Sequence, residues 1–404
     1  MHKRLLELEV KNFRSLRQVS VPLGPLNVLV GPNGAGKSNL LDVFKFLADI
    51  VQTDIEPALA ARGGFESTTF RGGSKSPSNI RVRLKATWTR HSSPNAPDEY
   101  ALQITRRRRE GGDTLSRKES FQFKRTKGRG RRITIQGEKA QVVDTRKSED
   151  EEPVTHSIGL QRFSSGLSTL PRLSDDAGGN EVAALAEGLA AFRVFDVDVD
   201  SARFPSRYPS QALSGTVLFE DASNLAFFLL TLKRNDPESW ERLVNDAREV
   251  LPQLQGIDFD FPSGAAREVI VVLHENGLRV PTQLADASYG TIRLLGLLAL
   301  LYDPDPPALT CIEEIDHGLH PQALELLVER IREASERTQF LIATHSPALA
   351  DRLRPEELIV CERDSGGASR IPVVTRERLE NIVERSEDLP LGELWFSGVL
   401  GGGL

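Results

Sequence analysis

The sequence predicts an α/β fold whose sheet core is built from both ends of the chain, with an antiparallel β subdomain and a helical lobe inserted between them. Strand and helix patterns alternate around residues 26–51 and again after residue 280. Residues 80–143 instead contain short runs of alternating apolar and polar residues, separated by turn sequences. The first pattern is typical of a parallel sheet covered by helices, and the second is typical of an antiparallel meander.

The composition is that of a globular protein. Of the 404 residues, 39% are hydrophobic and 27% are charged, which argues against wholesale disorder. No run approaches ~18 apolar residues, so we predict no membrane span and no membrane partner. The charged start MHKRLLELEV argues against a signal peptide. The two cysteines, Cys311 and Cys361, are too few for a disulfide framework or a cysteine-based zinc site, and we expect a reducing cytoplasm.

The first elements follow from side-chain periodicity. Apolar and polar residues alternate over residues 5–10 and 19–23, which predicts two strands around the sequence KNFRSLRQ. Leu26–Val30 is predicted as a short buried strand, and residues 37–51 repeat apolar side chains with a helical period.

The middle and the end of the chain are assigned in the same way. Residues 80–143 contain four strand-like sequences, IRVRLKATW, YALQITR, SFQFKR and RRITIQG. The polar residues 144–180 are predicted as loops, residues 181–255 as mostly helical, and residues 267–274 as a strand. A helix over 288–301, the strand ALTCI, a helix over 321–336 and the strand FLIA then restore the α/β alternation. We therefore predict a discontinuous core (1–79 and 280–404), an antiparallel β subdomain (80–143) and a loop-rich and helical insertion (144–279).

A glycine-rich loop carries the strongest functional signal. The sequence GPNGAGKS lies between the strand Leu26–Val30 and a helix that starts near Lys37, which is the context of a phosphate-binding P-loop. Glycines let backbone N–H groups face phosphate oxygens, and the helix N-terminus adds partial positive charge. Lys37 is predicted to reach the β- and γ-phosphates of ATP, and Ser38 to bind Mg²⁺. The predicted nucleotide-binding residues here are Gly31, Asn33, Gly34, Gly36, Lys37, Ser38 and Asn39.

Two further strand ends carry polar residues. The strand ALTCI ends in Glu313 and Glu314, which is typical of a Walker B element. Glu313 is predicted to hold Mg²⁺, and Glu314 to orient or deprotonate the attacking water. The strand FLIA ends in Thr344 and His345, and we predict that His345 contacts the γ-phosphate or the water. Reading His317, His320 and His345 as metal ligands is a less favoured alternative.

These elements together resemble the non-transporter branch of the ABC-type ATPases, which includes RecF, OLD-type and structural-maintenance-of-chromosomes ATPases. The likeness lies in VKNFRSLRQVSVPLGPLNVLVGPNGAGKSNLLDVF and in CIEEIDHGLHPQ followed by FLIATHSPALAD. It implies a P-loop NTPase fold, the ABC-type ATPase head, with an antiparallel β subdomain and an inserted helical lobe. It also implies that ATP and Mg²⁺ are bound between the two subunits of a homodimer, where Ser288 and Gly290 would face the partner's γ-phosphate. Asp316 is the candidate for the interface loop after Walker B.

The resemblance also limits the function. The chain between the motifs is too short for long coiled-coil arms, and the roughly sixty residues after His345 are too few for a Toprim-type nuclease domain, so neither is expected. The sequence leaves two hypotheses: an ATPase linked to DNA in repair or phage defence, or an ATP-driven regulatory switch that controls a separate effector protein without binding DNA. A transporter subunit is disfavoured.

The distribution of charge along the chain bears on the choice between these two hypotheses. The 51 basic and 57 acidic side chains give a net charge of −6, yet residues 106–147 hold fifteen Lys or Arg and five Asp or Glu. This local excess of +10 is centred on the basic segment 106–132, which we predict as a candidate surface for the DNA backbone. A solvated sheet face, an acidic protein partner, or cover by the acidic residues 148–152 are the alternatives.

Overall fold

The structure, a computed structural model, describes residues 4–109, 112–125, 130–144, 154–174, 178–207, 216–262, 267–386 and 389–401. The acidic residues 148–152 and Arg129 of the basic segment lie outside this part of the chain. The strands are β1 (Leu5–Phe13), β2 (Leu16–Pro22), β3 (Leu26–Val30), β4 (Asn79–Ala86), β5 (Asp98–Arg109), β6 (Gly112–Phe123), β7 (Arg131–Gln136), β8 (Lys139–Asp144), β9 (Val154–Gly159), β10 (Arg193–Phe195), β11 (Ser206–Arg207), β12 (Leu254–Asp260), β13 (Glu268–Glu275), β14 (Thr282–Gln283), β15 (Leu309–Glu313), β16 (Gln339–Thr344), β17 (Leu358–Val360), β18 (Glu362–Arg363) and β19 (Ser369–Arg370).

The helices alternate with strands at both ends of the chain and dominate the inserted lobe. They are α1 (Lys37–Gln52), α2 (Ile55–Ala60), α3 (Gly64–Thr68), α4 (Gly166–Thr169), α5 (Gly179–Ala190), α6 (Val199–Ala202), α7 (Leu225–Asn235), α8 (Pro237–Val250), α9 (Tyr289–Leu301), α10 (Pro321–Ala334), α11 (Pro347–Ala350), α12 (Arg376–Arg385) and α13 (Leu391–Phe396). None of the described helices is long and apolar enough to cross a membrane.

A five-stranded parallel sheet is the core of the fold. Its strand order is β10-β15-β16-β3-β17, so β3 from the beginning of the chain lies between two strands from its last third. Both of its faces are buried. Successive residues of a strand point to opposite faces of the sheet, so they pack into different hydrophobic clusters. In β16, for example, Phe340 and Ile342 pack with the helical lobe, whereas Leu341 packs towards α1 and the second sheet.

An eight-stranded antiparallel sheet lies on the other side of α1. Its order is β2-β1-β4-β5-β6-β7-β8-β9, and the four strands predicted in residues 80–143 are confirmed as β4 to β7. Its inner face shares one hydrophobic cluster with α1, in which Phe44, Phe46 and Leu47 are fully buried. Helix α1, which follows the glycine-rich loop, is therefore fixed between two sheets.

The predicted division of the chain does not follow the sheet boundaries. Strands β1 and β2, assigned to the core, pair with β4 in the antiparallel sheet, and β10, assigned to the insertion, joins the parallel sheet beside β15. Residues 154–159, predicted as loop, form the edge strand β9. Periodicity marks a strand but not its partner, and the mixed sequence VTHSIG has little alternation to mark one at all.

Candidate functional site

Three strand ends of the parallel sheet meet at one edge. Strand β16 lies between β15 and β3, with Ala343 opposite Glu313 and Thr344 opposite Val30. Because parallel strands place their carboxyl ends at the same edge, the loops that follow them surround one cleft of about 200 Å³. Its lining residues are Asn33, Gly34, Gly36, Lys37, Ser38, Asn39, Glu313, Glu314, Ala343, Thr344, His345 and Arg363.

The glycines of the loop meet two different backbone requirements. A Cβ atom on Gly31 would lie 2.4 Å from the carbonyl oxygen of Cys361, so only glycine fits against that strand end. Gly34 and Gly36 have φ values of 81° and 104°, which L-residues rarely adopt. Gly36 is the N-cap of α1 and provides no side-chain cap, so the first N–H groups of this helix can bind an anion in the cleft.

The Lys37 side chain contacts backbone carbonyl groups of the glycine-rich loop. Its Nζ donates to the carbonyl oxygens of Gly31 at 2.6 Å and Pro32 at 3.1 Å. Burial lowers the pKa of Lys37, while the Cys361 thiol and the acidic groups after β15 act in the opposite direction. These bonds hold the ammonium group beside the loop that is expected to surround the phosphates.

Ser38 and Glu313 form the part of the cleft suited to a divalent cation. The two side chains line the same cleft, where burial raises the pKa of Glu313 against the opposing effect of the nearby Ser38 hydroxyl. The nearby carboxylates of Asp196, Glu314 and Asp42 also raise this pKa. A bound cation would relieve this repulsion, and a hydroxyl with a carboxylate is a donor set that Mg²⁺ accepts. The two residues therefore fit the predicted Mg²⁺ site.

Glu314 projects into the cleft from an unusual backbone conformation. Its φ is 47°, and its side chain is about half exposed. The amide of Glu314 donates to the carbonyl of Ala343 at 2.9 Å, and its carboxylate lies 3.7 Å from Nδ1 of His317. On the opposite side of the cleft, His345 is exposed at the end of β16.

Asp316 contacts its own chain. The Thr344 hydroxyl donates to its carboxylate and in turn accepts the amide of Ser346 at 3.0 Å. This link joins the loop after β15 to the loop after β16, so within one chain Asp316 is part of the support of the cleft.

Ser288 and Gly290 do not line this cleft in the described structure. The Ser288 hydroxyl caps α9 by accepting the amide of Thr291 at 3.2 Å, and Gly290 packs against the carbonyl of Gly318. The ring of Tyr289 covers Gly318 and lies 5.5 Å from the ring of His317. The start of α9 and the loop after β15 thus form one surface. A role for Ser288 and Gly290 at a partner's nucleotide stays a prediction.

Sequence reasoning missed the contribution of residues 361–370. This segment contains the hairpin of β18 and β19, and its residues Cys361 and Ser369 pack on the glycine-rich loop. Arg363 brings a second cation to the cleft, held by a hydrogen bond to the carbonyl of Gly367 at 3.1 Å. The hydroxyl of Ser369 is hydrogen-bonded to the hydroxyl of Ser15, which also accepts the side-chain Nδ2 of Asn39 at 2.7 Å. The one sequence signal that could have indicated this position of Arg363 is that the residue follows shortly after the end of a strand.

The basic segment 106–132 is divided between two faces of the antiparallel sheet. Arg117 is fully buried beside Glu119, and Arg131 pairs with Asp144 and Glu181 at 2.8 Å. On the outer face, a basic groove of about 660 Å³ is lined by five cations and one carboxylate, and Arg83 is paired with that carboxylate at 2.6 Å and with Glu9 at 3.2 Å. The charged residues of this basic groove are Arg81, Arg83, Lys118, Lys124, Arg132 and Glu99.

Comparison with known proteins gives the family and the fold. A family model described as "AAA domain, putative AbiEii toxin, Type IV TA system" matches residues 26–351. An OLD nuclease of Thermus scotoductus is 49% identical over 55 residues, which are 14% of this chain and 10% of that protein. Structural maintenance of chromosomes protein 1 of Schizosaccharomyces pombe is 32% identical over 116 residues, which are 24% of this chain and 9% of that protein. The matched segments thus span about a tenth of each of these curated relatives.

A solved structure resembles nearly the whole chain. The crystal structure of an SmcHead bound to the C-winged helix domain of ScpA has a TM-score of 0.52 and 14% identity, and the match covers 91% of this chain and 96% of that one. At this identity the likeness shows the fold alone, and it confirms the predicted ATPase-head fold. With the family match, it also confirms the predicted resemblance to non-transporter ABC-type ATPases.

Proposed function

The chain belongs to the AAA domain family whose model matches residues 26–351, and on that premise we propose that it binds ATP with Mg²⁺ and hydrolyses it between two copies of itself. One observation carries the proposal. The glycine-rich loop, the two carboxylates after β15 and the histidine after β16 are far apart in sequence, yet they line a single cleft.

The motif residues of the cleft have separate roles in this reaction. The loop amides and the N-terminus of α1 bind the β- and γ-phosphates, and Lys37 neutralises their charge. Ser38 and Glu313 would hold Mg²⁺, which when bound offsets negative charge on the phosphate oxygens. Glu314 orients a water molecule towards the γ-phosphorus and accepts its proton, while His345 donates a hydrogen bond to the transferred group. The bond between the β- and γ-phosphates then breaks, and ADP and phosphate leave.

The dimer part of the proposal rests on the placement of α9. Ser288 and Gly290 lie beside Gly318 on a surface next to the cleft, not inside it. A second subunit facing this surface would receive the N-terminus of α9 at its own γ-phosphate. Hydrolysis removes the bridging phosphate and should therefore loosen the dimer.

Trapping the ATP state tests both parts. Glu314→Gln keeps the size of the side chain but removes the carboxylate that activates water, so ATP should bind without turnover and dimers should accumulate. Light scattering with ATP and Mg²⁺ measures this. Ser288→Arg in the same background places bulk and charge at the interface and should keep the protein monomeric. A Glu314→Gln protein that is saturated with ATP yet monomeric, with no partner protein required, would contradict the dimer mechanism.

For the biological role, the basic groove favours DNA over an effector protein. Its cations lie on adjacent strands of a sheet face, an arrangement suited to the regular charge of a duplex backbone. We propose that DNA binds there and that the ATPase acts in repair or phage defence in the cytoplasm. DNA-stimulated hydrolysis would support this role. ATPase activity that is indifferent to DNA, in a protein that does not retain DNA at low salt, would favour the regulatory switch.

A further inference from the structure

A buried arginine connects α9 to the end of β15. Arg293 is only 2% exposed. Its Nη1 donates to the carbonyl of Val197 at 3.1 Å, and its Nη2 donates to the carbonyl of Glu314 at 2.6 Å. The carboxylate of Asp196 lies 3.8 Å from Nη1 and is mostly exposed. Burying a guanidinium group is unfavourable unless it is hydrogen-bonded, so these main-chain carbonyls are what holds the charge in place.

The carbonyl that Arg293 binds belongs to a residue in a rarely adopted conformation. With φ at 47°, Glu314 is in the left-handed region, which is unfavourable for a residue other than glycine. Such a conformation persists only when neighbouring groups fix it. Here the amide of Glu314 is bound by Ala343, and its carbonyl accepts both Arg293 and the amide of His317 at 3.0 Å. Of these bonds, only the one from Arg293 comes from a side chain.

We infer that Arg293 is a positioning residue that fixes the backbone of Glu314 and couples it to the start of α9. The inference rests on the proposed ATPase function. Arg293 lies five residues after Ser288, in the second turn of the helix whose N-terminus is proposed to meet the partner's nucleotide. A shift of that helix on dimer closure would move the guanidinium group and, through it, the carbonyl of Glu314. Arg293 does not line the cleft, so it acts on hydrolysis through Glu314 and not on ATP itself.

The same helix supplies matched controls. Near its other end, the exposed side chain of Arg337 donates to the carbonyls of Leu301 and Asp303 at 3.2 and 3.1 Å, which is the same kind of main-chain contact far from Glu314. Leu298 is a fully buried residue of α9, and its replacement by alanine lowers stability without removing a charge. Arg337→Ala tests the effect of losing an arginine that binds carbonyls, and Leu298→Ala tests the effect of lower stability. Neither control removes the contact with Glu314.

The experiment compares Arg293→Ala with Arg337→Ala and Leu298→Ala in the full chain. Arg293→Ala should lower kcat about 100-fold, because a small displacement of a catalytic group has an effect of this size, while the ATP dissociation constant stays within about threefold. Millimolar guanidinium chloride should restore part of the kcat of Arg293→Ala, and sodium chloride at the same concentration should not. Both control variants should keep the wild-type kcat.

Several outcomes would overturn the inference. They are an unchanged kcat in Arg293→Ala, a loss of ATP affinity parallel to the loss of kcat, and an equal loss of kcat in the controls. If Arg293→Ala does not fold, Arg293→Lys provides the test, because one ammonium group cannot reach both carbonyls and should still lower kcat alone. A wild-type protein without ATPase activity would overturn the proposed function together with this inference, whereas an active Arg293→Ala would overturn this inference only.

Discussion

The cleft and the antiparallel sheet both collect charged residues, but they distribute them in opposite ways. At the cleft, Lys37, Glu313 and Glu314 follow the ends of parallel strands, so neighbours in sequence face the same opening. In the antiparallel sheet, Arg131 is buried and paired, while Arg132 is exposed in the basic groove. Residues that follow a strand can converge on one point, whereas residues within a strand alternate between its faces. A charge cluster therefore indicates a site far better at a strand end than along a strand.

The largest expected effect is on the cleft. Lys37→Ala removes the charge facing the β- and γ-phosphates and should weaken ATP binding by about 100-fold, or ~3 kcal/mol, as measured by isothermal titration. Lys45→Ala on the exposed side of the same helix is the control and should bind ATP normally. DNA binding without nucleotide should be equal in both variants. Unchanged ATP affinity in Lys37→Ala would refute the assignment of the phosphate loop.

The second prediction concerns the outer face of the sheet. Replacing Lys118, Lys124 and Arg132 by glutamine should weaken duplex DNA binding at least ~10-fold and lower the slope of log affinity against log salt by about 2–3. Fluorescence anisotropy across a salt series measures both quantities, and basal ATPase activity should survive. The control replaces three exposed arginines of α12, Arg376, Arg378 and Arg385, and should leave the slope unchanged. Equal slopes in the two triple variants would remove the basic groove as the DNA surface.

The third prediction contrasts two adjacent arginines. Arg131→Ala removes the buried partner of Asp144 and Glu181, which then keep only Arg125 as an ion-pair partner among the described residues, and should lower the free energy of unfolding by about 1–3 kcal/mol. Arg132→Ala should change it by less than ~0.5 kcal/mol but should lower the salt slope of DNA binding by about 1. Urea unfolding and the salt series are measured on both variants. If Arg132→Ala lowers the free energy of unfolding more than Arg131→Ala does, the assignment of Arg131 to the buried face and Arg132 to the exposed face is wrong.

The fourth prediction is a pH dependence of stability that originates on the inner face of the antiparallel sheet. Burial raises the pKa of Glu119 to about 7, against the opposing charge of Arg117. A carboxyl group with a raised folded-state pKa favours folding below its unfolded value of 4.5 and loses that contribution as pH rises to about 7. Unfolding free energy should therefore decline over this window by at most about 3 kcal/mol more in the wild type than in Glu119→Gln. Parallel pH profiles for the two proteins would show that Glu119 does not titrate in this window.

Much of the fold could be predicted from the sequence because its signals are local. The glycine-rich loop, the apolar strands around Glu313 and Thr344, and the helix after Ser288 each have a period or a motif that needs no partner to be identified. Strand pairing is not local, and this explains why the placement of β1, β2 and β10 was wrong and why the polar edge strand β9 was missed. Of the predicted site residues, those that line one cleft are Asn33, Gly34, Gly36, Lys37, Ser38, Asn39, Glu313, Glu314 and His345, whereas Arg363 lines it without having been predicted.

By itself, the sequence determined which chemical groups are present and on which elements they lie: a phosphate loop between a strand and a helix, two carboxylates after one strand and a histidine after another. Only the tertiary structure decided which groups meet. The parallel order β15-β16-β3 brings the three strand ends together, and the alternation of β6 and β7 assigns each arginine to the core or to solvent. It also placed Arg293 on the carbonyl of Glu314, a contact between residues 21 positions apart. The physical reason is that motifs and periods depend on residues a few positions apart, whereas strand order and hydrogen bonds across elements depend on how distant parts of the chain pack together.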